Sequence, residues 1–369
     1  MKKKQPKARG LALYLPQYHP IPENDEWWGK GFTEWTNVGK AKPLFPGHYQ
    51  PHVPADLGYY DLRVPETRES QAQMARDAGI EGFVYWHYWF GNGKRLLERP
   101  FNEVLASGKP DFPFALAWAN ETWSGNFHGL KEGKVLVEQI YPGDDDYIAH
   151  FNAVLPAFKD KRYIKCEGKP IFFVYKPYDL PDPVHFVELW QKLAKENGIG
   201  EICFIGMVGR IYDEKRANEA YNWVREHGFD FMNVFNAFEA PVTTFGFKYR
   251  LIRKVLFKWL KCIPDIRPYS INQMKSAVDE KDEVIPTITS NWDHTPRTGK
   301  RGIILTGSTP ESFKECLHYM LNSIQHKPFE KRFLIFKSWN EWAEGNYLEP
   351  DLKYGHQYLD AIREELFDE

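Results

Sequence analysis

Two glutamates three positions apart, Glu341 and Glu344, stand among Trp339, Asn340 and Trp342 in the stretch 336–350. The stretch follows directly on the apolar run 333–336, which reads as a buried strand, so the polar residues at its end must face a cleft. Side chains alternate along a strand, and residues three apart share a face only where the chain turns between them. Ala343 and Gly345 leave room for that turn. Two convergent carboxylates beside aromatic rings are a minimal apparatus for breaking a glycosidic bond: one donates a proton to the leaving oxygen while the other assists at the sugar ring. The bland alternative is a solvated loop with scattered acids, but Trp339 and Trp342 rarely accompany one. Glu349, a little further on, is either a third site carboxylate or a cap or ion-pair partner.

Such a pair has to be positioned by a strand and the turn after it, and the same unit recurs along the chain. Apolar runs at 11–15, 82–89, 113–118, 170–175, 202–207, 229–234, 284–289 and 333–336 alternate with helix-like segments at 66–78, 144–158, 183–197, 214–227, 310–325 and 356–366. The alternation argues for parallel strands joined by right-handed crossovers, and the economical closure is an α/β fold of the (β/α)8 TIM type. An open doubly wound sheet is the alternative, against which stands the lack of a Gly-x-Gly-x-x-Gly after the first run. The expectation is one catalytic domain over residues 1–369, with 1–10 as a disordered tail.

In a barrel the site lies at the carboxyl ends of the strands. Candidate substrate contacts are therefore Tyr18 and His19 after the first run, His87 and Tyr88 at the second, and Trp118, Asn120 and Glu121 at the third. Lys176 follows the fourth, Asn236 the sixth, and Asn291, Trp292, Asp293 and His294 the seventh. Trp339, Asn340 and Trp342 belong to the eighth. The long aromatic loop 16–65 reads as a binding wall, with Glu34 and Trp35 as further sugar contacts. His19, His87 and His294 could in principle hold a metal, but there is no His-x-His or His-Glu-x-x-His; hydrogen bonding to substrate is expected, with no metal and no cofactor.

The chain also resembles a known family. Asn340-Glu341-Trp342-x-Glu344-Gly345 is similar to the catalytic segment of glycoside hydrolase family 99, the endo-acting alpha-mannosidases and mannanases, and of the related WbsX-type proteins encoded with surface-polysaccharide genes. Tyr14-Leu-Pro-Gln-Tyr-His-Pro20, Gly31-Phe-Thr-Glu-Trp-Thr-Asn37, Gly82-Phe-Val-Tyr-Trp-His-Tyr-Trp89 and Trp118-Ala-Asn-Glu-Thr-Trp123 extend the match over nearly the whole chain. The WbsX-type branch is the closer one. The resemblance implies the barrel and a mechanism in which Glu341 deprotonates the sugar's own 2-hydroxyl, which attacks the anomeric carbon to form a 1,2-anhydro sugar, while Glu344 protonates the departing oxygen.

Composition narrows the partners. Net charge is −2, so no global field collects phosphates and no nucleic-acid partner is expected. Aromatic residues make up 16% of the chain, 13 of them Trp, more stacking surface than packing needs, which suits a glycan. The four cysteines show no metal spacing and read as reduced thiols. Met1-Lys-Lys-Lys is not followed by an apolar signal core, so a cytoplasmic location is expected. Residues 245–261 form a basic amphipathic segment with Arg250, Arg253, Lys254, Lys258 and Lys261 on one arc. The favoured reading is an outer barrel helix burying its apolar face, the sharper one peripheral contact with anionic membrane. Nothing in the sequence speaks to oligomeric state. Three functions follow: a carbohydrate-active enzyme cleaving or transferring a glycosidic bond, on alpha-mannose-like glycans if the hydrolase likeness holds; a glycosyltransferase of lipopolysaccharide, capsule or O-antigen assembly; or a non-catalytic glycan-binding protein. A nucleotide-binding glycine loop and a strand-end Asp-x-Asp are both missing, which counts against an ordinary sugar-nucleotide enzyme.

Overall fold

Eight short parallel strand positions surround one core: β1 (Arg9–Tyr14), β2 (Gly82–Trp89), β3 (Phe114–Trp118), β4 (Lys169–Val174), β5 (Cys203–Val208), β6 (Phe231–Val234), β7 (Val284–Ile285 and Thr287–Thr289) and β8 (Phe333–Lys337). They are taken from a computed structural model that describes residues 5–125, 134–209, 211, 213–236 and 246–367. Neighbours in sequence pair in order from β1 to β7, and β8 pairs back with β1, Leu11 lying opposite both Gly82 and Ile335. Pro286 has no N–H to give a ladder and splits β7. Its first half pairs with β6 and its second with β8, which closes the barrel. The strands are buried almost throughout, as parallel strands covered on both faces must be.

A helix follows each strand: α1 (Pro65–Asp77), α2 (Arg99–Ser107), α3 (Asp144–Phe158), α4 (Pro183–Glu196), α5 (Glu214–Glu226), α6 (Phe247–Arg253), α7 (Pro310–Ile324) and α8 (Gln357–Phe367). Their starts are chemically marked. The Asp182 and Asp213 side chains accept from backbone amides of the first turns of α4 and α5, and Thr309 with Ser312 forms a capping box on α7, with Pro310 in its first turn. α2 was not anticipated, because nine residues with Pro100 in the first turn give little room for a helical period. Short strand pairs inside the loops were not anticipated either, among them Asp265–Pro268 with Ile303–Thr306.

Two expectations are corrected. The proposed tail 1–10 ends earlier: Ala8, Arg9 and Gly10 are buried, the Lys7 amide bonds Leu366 at 2.9 Å, and Arg9 opens β1. The Arg9 charge is paired with Glu81 at 2.6 Å and lies over the Phe333 ring. Residues 1–4 lie outside the described residues. The second correction concerns 245–261, where residue 245 is also outside them. The favoured burial of its apolar face on the barrel does not occur, since no residue of α6, or of the wider helical turn Lys254–Trp259 that continues it, is buried.

Candidate active site

Strand β8 delivers the site. Past Lys337, its last residue, Asn340–Glu341 pairs antiparallel with Asn346–Tyr347, and a 3-10 turn, Trp342–Glu344, joins the two. Gly345 closes that turn at φ +68°, where a Cβ would come within 2.7 Å of the Asp293 amide nitrogen. The turn brings the two glutamates to one side.

The turn is held from behind by buried polar contacts. Asn340 bonds the Leu15 amide and carbonyl at 2.8 and 3.0 Å, and the Tyr18 hydroxyl accepts from the Trp342 amide at 3.0 Å. Trp342 stacks on Tyr347 and donates to Glu349, which also takes hydrogen bonds from Gln71 and Tyr60, at 2.6, 2.6 and 2.8 Å in that order. Burial pushes the Glu349 carboxyl up to about 7 against those donors. It is a clamp beneath the turn and takes no part in the cleft lining.

Two cations bridge the glutamates. Lys337 Nζ lies 2.9 Å from Glu341 and 4.0 Å from Glu344, while one guanidinium nitrogen of Arg297 bonds Glu344 and lies 3.9 Å from Glu341. Ser338 Oγ donates to the same Glu341 oxygen as Lys337, at 3.0 Å, so the other oxygen, Oε1, has no hydrogen-bond donor among the described residues. Burial, reinforced by the charge of Glu344, raises the Glu341 pKa, and Lys337 and Arg297 oppose the rise. Burial alone would weaken the Arg297 charge, but Glu34, Glu344 and Glu341 outweigh it and its pKa is raised. His294, 3.7 Å from Glu344, is kept neutral by burial and by Arg297, its pKa lowered to about 4.

These groups open on a cavity of about 700 Å³ at the carboxyl ends of the strands. Of the residues expected there, Tyr88, Glu121, Lys176, Trp292, His294, Glu341 and Glu344 line it. Asn291 and Asp293 line a smaller cavity of about 160 Å³, and Asp293 is tied to His48, Gln50 and Thr295.

The remaining candidates prove to be supports, buried except for the half-buried Trp35. Glu34 pairs with Arg297 at 3.1 Å, and Trp35 gives its indole N–H to the Tyr60 carbonyl. Trp118, fully buried, donates to the Trp89 carbonyl, and Trp339 packs on Phe83. Asn120 ties the end of β3 to the Lys176 backbone, and Asn236 accepts from the Ile211 amide. His87 meets His150 of α3 at 2.8 Å, and burial lowers its pKa to about 3; His19 is buried with its pKa lowered to about 4, again mainly by desolvation. Strand-end position alone does not distinguish a residue pointing up into the mouth from one pointing back into the wall.

Sequence reasoning missed Arg297, Lys337, Gln17, Trp86 and Trp123, all in the lining. Lys337 had a signal, being a lysine closing an apolar strand directly before the glutamates. Arg297, one of many surface-like arginines in the sequence, had none. Among the described residues no group of three His, Cys, Asp or Glu is placed to hold a metal.

The chain folds as an eight-stranded barrel whose mouth holds two convergent carboxylates among aromatic rings. It belongs to the WbsX glycosyltransferase family, whose profile matches residues 10–362. The protein WxcX of Xanthomonas campestris pv. campestris, itself uncharacterized, is 35% identical over 96% of this chain in strains B100 and ATCC 33913. The chain spans about half the length of these curated relatives, 49% of each. Among solved structures, a glycoside hydrolase-like protein superposes with a TM-score of 0.59 at 15% identity, covering 99% of this chain and 95% of that one. The GH99 endo-alpha-mannosidase of Bacteroides thetaiotaomicron, in complex with Bis-Tris-propane, gives 0.56 at 14% identity over 98% and 97% of the two chains. These likenesses establish the shared barrel fold.

Proposed function

We propose that the cleft breaks or transfers a glycosidic bond in an oligo- or polysaccharide through neighbouring-group attack, with Glu341 as base and Glu344 as acid. The observation that carries the reading is the shared pair of cations, Lys337 and Arg297, each within 4.0 Å of both carboxylates. Glu341 takes the proton of the sugar 2-hydroxyl, O2 forms a bond to the anomeric carbon, and the bond to the leaving oxygen breaks as Glu344 protonates that oxygen. A water or sugar hydroxyl then opens the 1,2-anhydro ring, giving its proton to Glu344 while Glu341 returns its own to O2. Both carboxyls end as they began. A raised pKa makes Glu341 the stronger base, and its oxygen Oε1 is left for the incoming proton.

The reaction class separates by leaving group. Glu344→Gln should lose turnover on a natural glycan by about 10²–10⁴-fold yet keep much of the first step, read as the initial release of phenolate, on an aryl glycoside, whose phenolate departs without a proton; Glu341→Gln should lose both. Equal losses for the two variants on the aryl glycoside would remove the role assignment. Alpha-mannose-like glycans are the first panel to offer.

A sugar-nucleotide-dependent transferase is the second reading, favoured by the family to which the chain belongs. Against it, the three cations of the described lining already face carboxylates, Lys176 to Glu121 at 2.6 Å and the other two as above, which suits neutral hydroxyls better than a pyrophosphate. Incubation with glycans with and without sugar nucleotides, read by product mass, decides between them.

A further inference from the structure

α6 and its continuation occupy the place of a barrel helix without behaving as one. The wider turn Lys254–Trp259, with the Leu260 amide bonded to the Val255 carbonyl at 2.9 Å, breaks the 100° period that would have gathered the apolar residues on one inner face. The inner side keeps only the half-buried Val255, Leu256 and Phe257 and is attached mainly by polar groups. Arg253 makes two bonds of 2.6 Å to Asp265, and the Tyr249 hydroxyl reaches the Ile266 carbonyl.

Phe247, Leu251, Ile252, Trp259 and Leu260 consequently face outward, each more than half exposed. Lys248, Arg250, Lys254, Lys258 and Lys261 are exposed among them. Residues 246–264 contain no acid.

Large exposed apolar residues in a row mark a surface that something covers. The covering agent must accept Trp and Leu side chains and supply negative charge over the same area. A second copy of this face would set like charges together, and a nucleic acid offers little to bare aliphatic side chains. An anionic bilayer supplies both, with acyl chains for the apolar residues and headgroups for the lysines, and Trp is at home at that boundary.

We propose that this helix and the residues after it, to Lys261, dock the protein on an anionic membrane surface. Trp259 and Leu260 enter the interface, and Lys248, Lys254, Lys258 and Lys261 meet the headgroups. Asp265–Pro268, which anchors the helix, pairs with Ile303–Thr306, and Ile303 lines the cleft, so docking sets the cleft mouth close to the lipid. The binding itself is independent of the glycan reading; only the consequence that the glycan is carried at such a surface rests on it.

Sedimentation with vesicles of phosphatidylcholine alone, and of phosphatidylcholine with a one-third share of phosphatidylserine, tests the proposal. The protein should pellet with the anionic vesicles only and be released by salt. Lys254→Glu/Lys258→Glu should weaken binding at least about tenfold, as should Trp259→Ala/Leu260→Ser, while both variants keep the wild-type melting curve because the altered side chains are exposed. Equal recovery in the supernatant from both vesicle types overturns it, as does undiminished binding by either variant. A concentration-dependent dimer in sedimentation velocity, abolished by Trp259→Ala/Leu260→Ser, would assign the face to a second copy instead.

Discussion

Lys337 carries two loads at once. Its ammonium lies 2.9 Å from Glu341, with the rings of Phe235 and Trp292 at 4.8 and 5.2 Å, so it is both a counter-ion and a cation held by aromatic faces. Burial and the charge of Glu344 raise the Glu341 pKa, so the acidic limb of kcat/KM should lie above that of an ordinary glutamate if Glu341 acts as base. Lys337 opposes that rise. Replacing it by Met therefore moves the limb to higher pH, by about one unit, and a pH profile in which the limb stays in place would sink the assignment of Glu341. Gly345 is the other sensitive residue. At φ +68° with the Asp293 amide only 2.7 Å from a would-be Cβ, Gly345→Ala should cost about 1–3 kcal/mol in denaturant unfolding and displace Glu344 with it. At this scale Glu341, Glu344 and the turn between them were legible in sequence because a strand end, a glycine and two indoles coincide. Arg297 was not, since it is brought in from after β7 by the closure of the barrel.

Among the elements, β2 and α3 are joined by a buried pair of histidines. His87 and His150 meet at 2.8 Å with their rings stacked, His150 also stacks on Trp89, and desolvation lowers both pKa values, that of His87 to about 3. The sign follows from linkage. An unfolded chain protonates these imidazoles near pH 6.5 while the folded one resists, so their contribution is present above that pH and declines as pH falls toward the folded value. Each such histidine adds a slope of about 1.4 kcal/mol per pH unit in that window. Urea unfolding between pH 6.5 and 4.5 should show His87→Gln as less stable at neutral pH and shallower in slope by about that amount; an unchanged slope means that His87 titrates in the folded protein. This pair also shows where reading elements from sequence stopped. The strands and most helices were legible because apolar runs of four to eight residues and capped amphipathic helices have different periods. Whether His87 or Trp118 faces mouth or wall depends on barrel tilt and on partners such as α3, far away in sequence. The period of 245–261 was legible too, but with one wide turn Phe247, Leu251, Ile252, Trp259 and Leu260 end up facing outward.

At the scale of the whole molecule the charges fall into two regimes. The net charge of −2 hides a cleft whose described cations are all matched by carboxylates and, one short strand pair away, an outer helix whose cations, Arg253 aside, meet no carboxylate among the described residues. Paired charges in a partly dry cavity are little screened, whereas exposed charges answer to a Debye length of about 8 Å at physiological ionic strength. The cleft should therefore be indifferent to salt where the helix is not. With a neutral soluble oligosaccharide as substrate, KM should change by less than about twofold as sodium chloride is raised from low to several times physiological strength, over a range in which vesicle binding is lost. The same titration with a substrate presented on anionic vesicles should raise the apparent KM along with the loss of binding, because the helix, not the cleft, then limits encounter. A severalfold salt-dependent rise in KM for the neutral oligosaccharide would mean that the cleft itself reads an anion. Lys337, Arg297 or Lys176 would then be exchanging its carboxylate for a phosphate of the donor, as the sugar-nucleotide transferase reading requires.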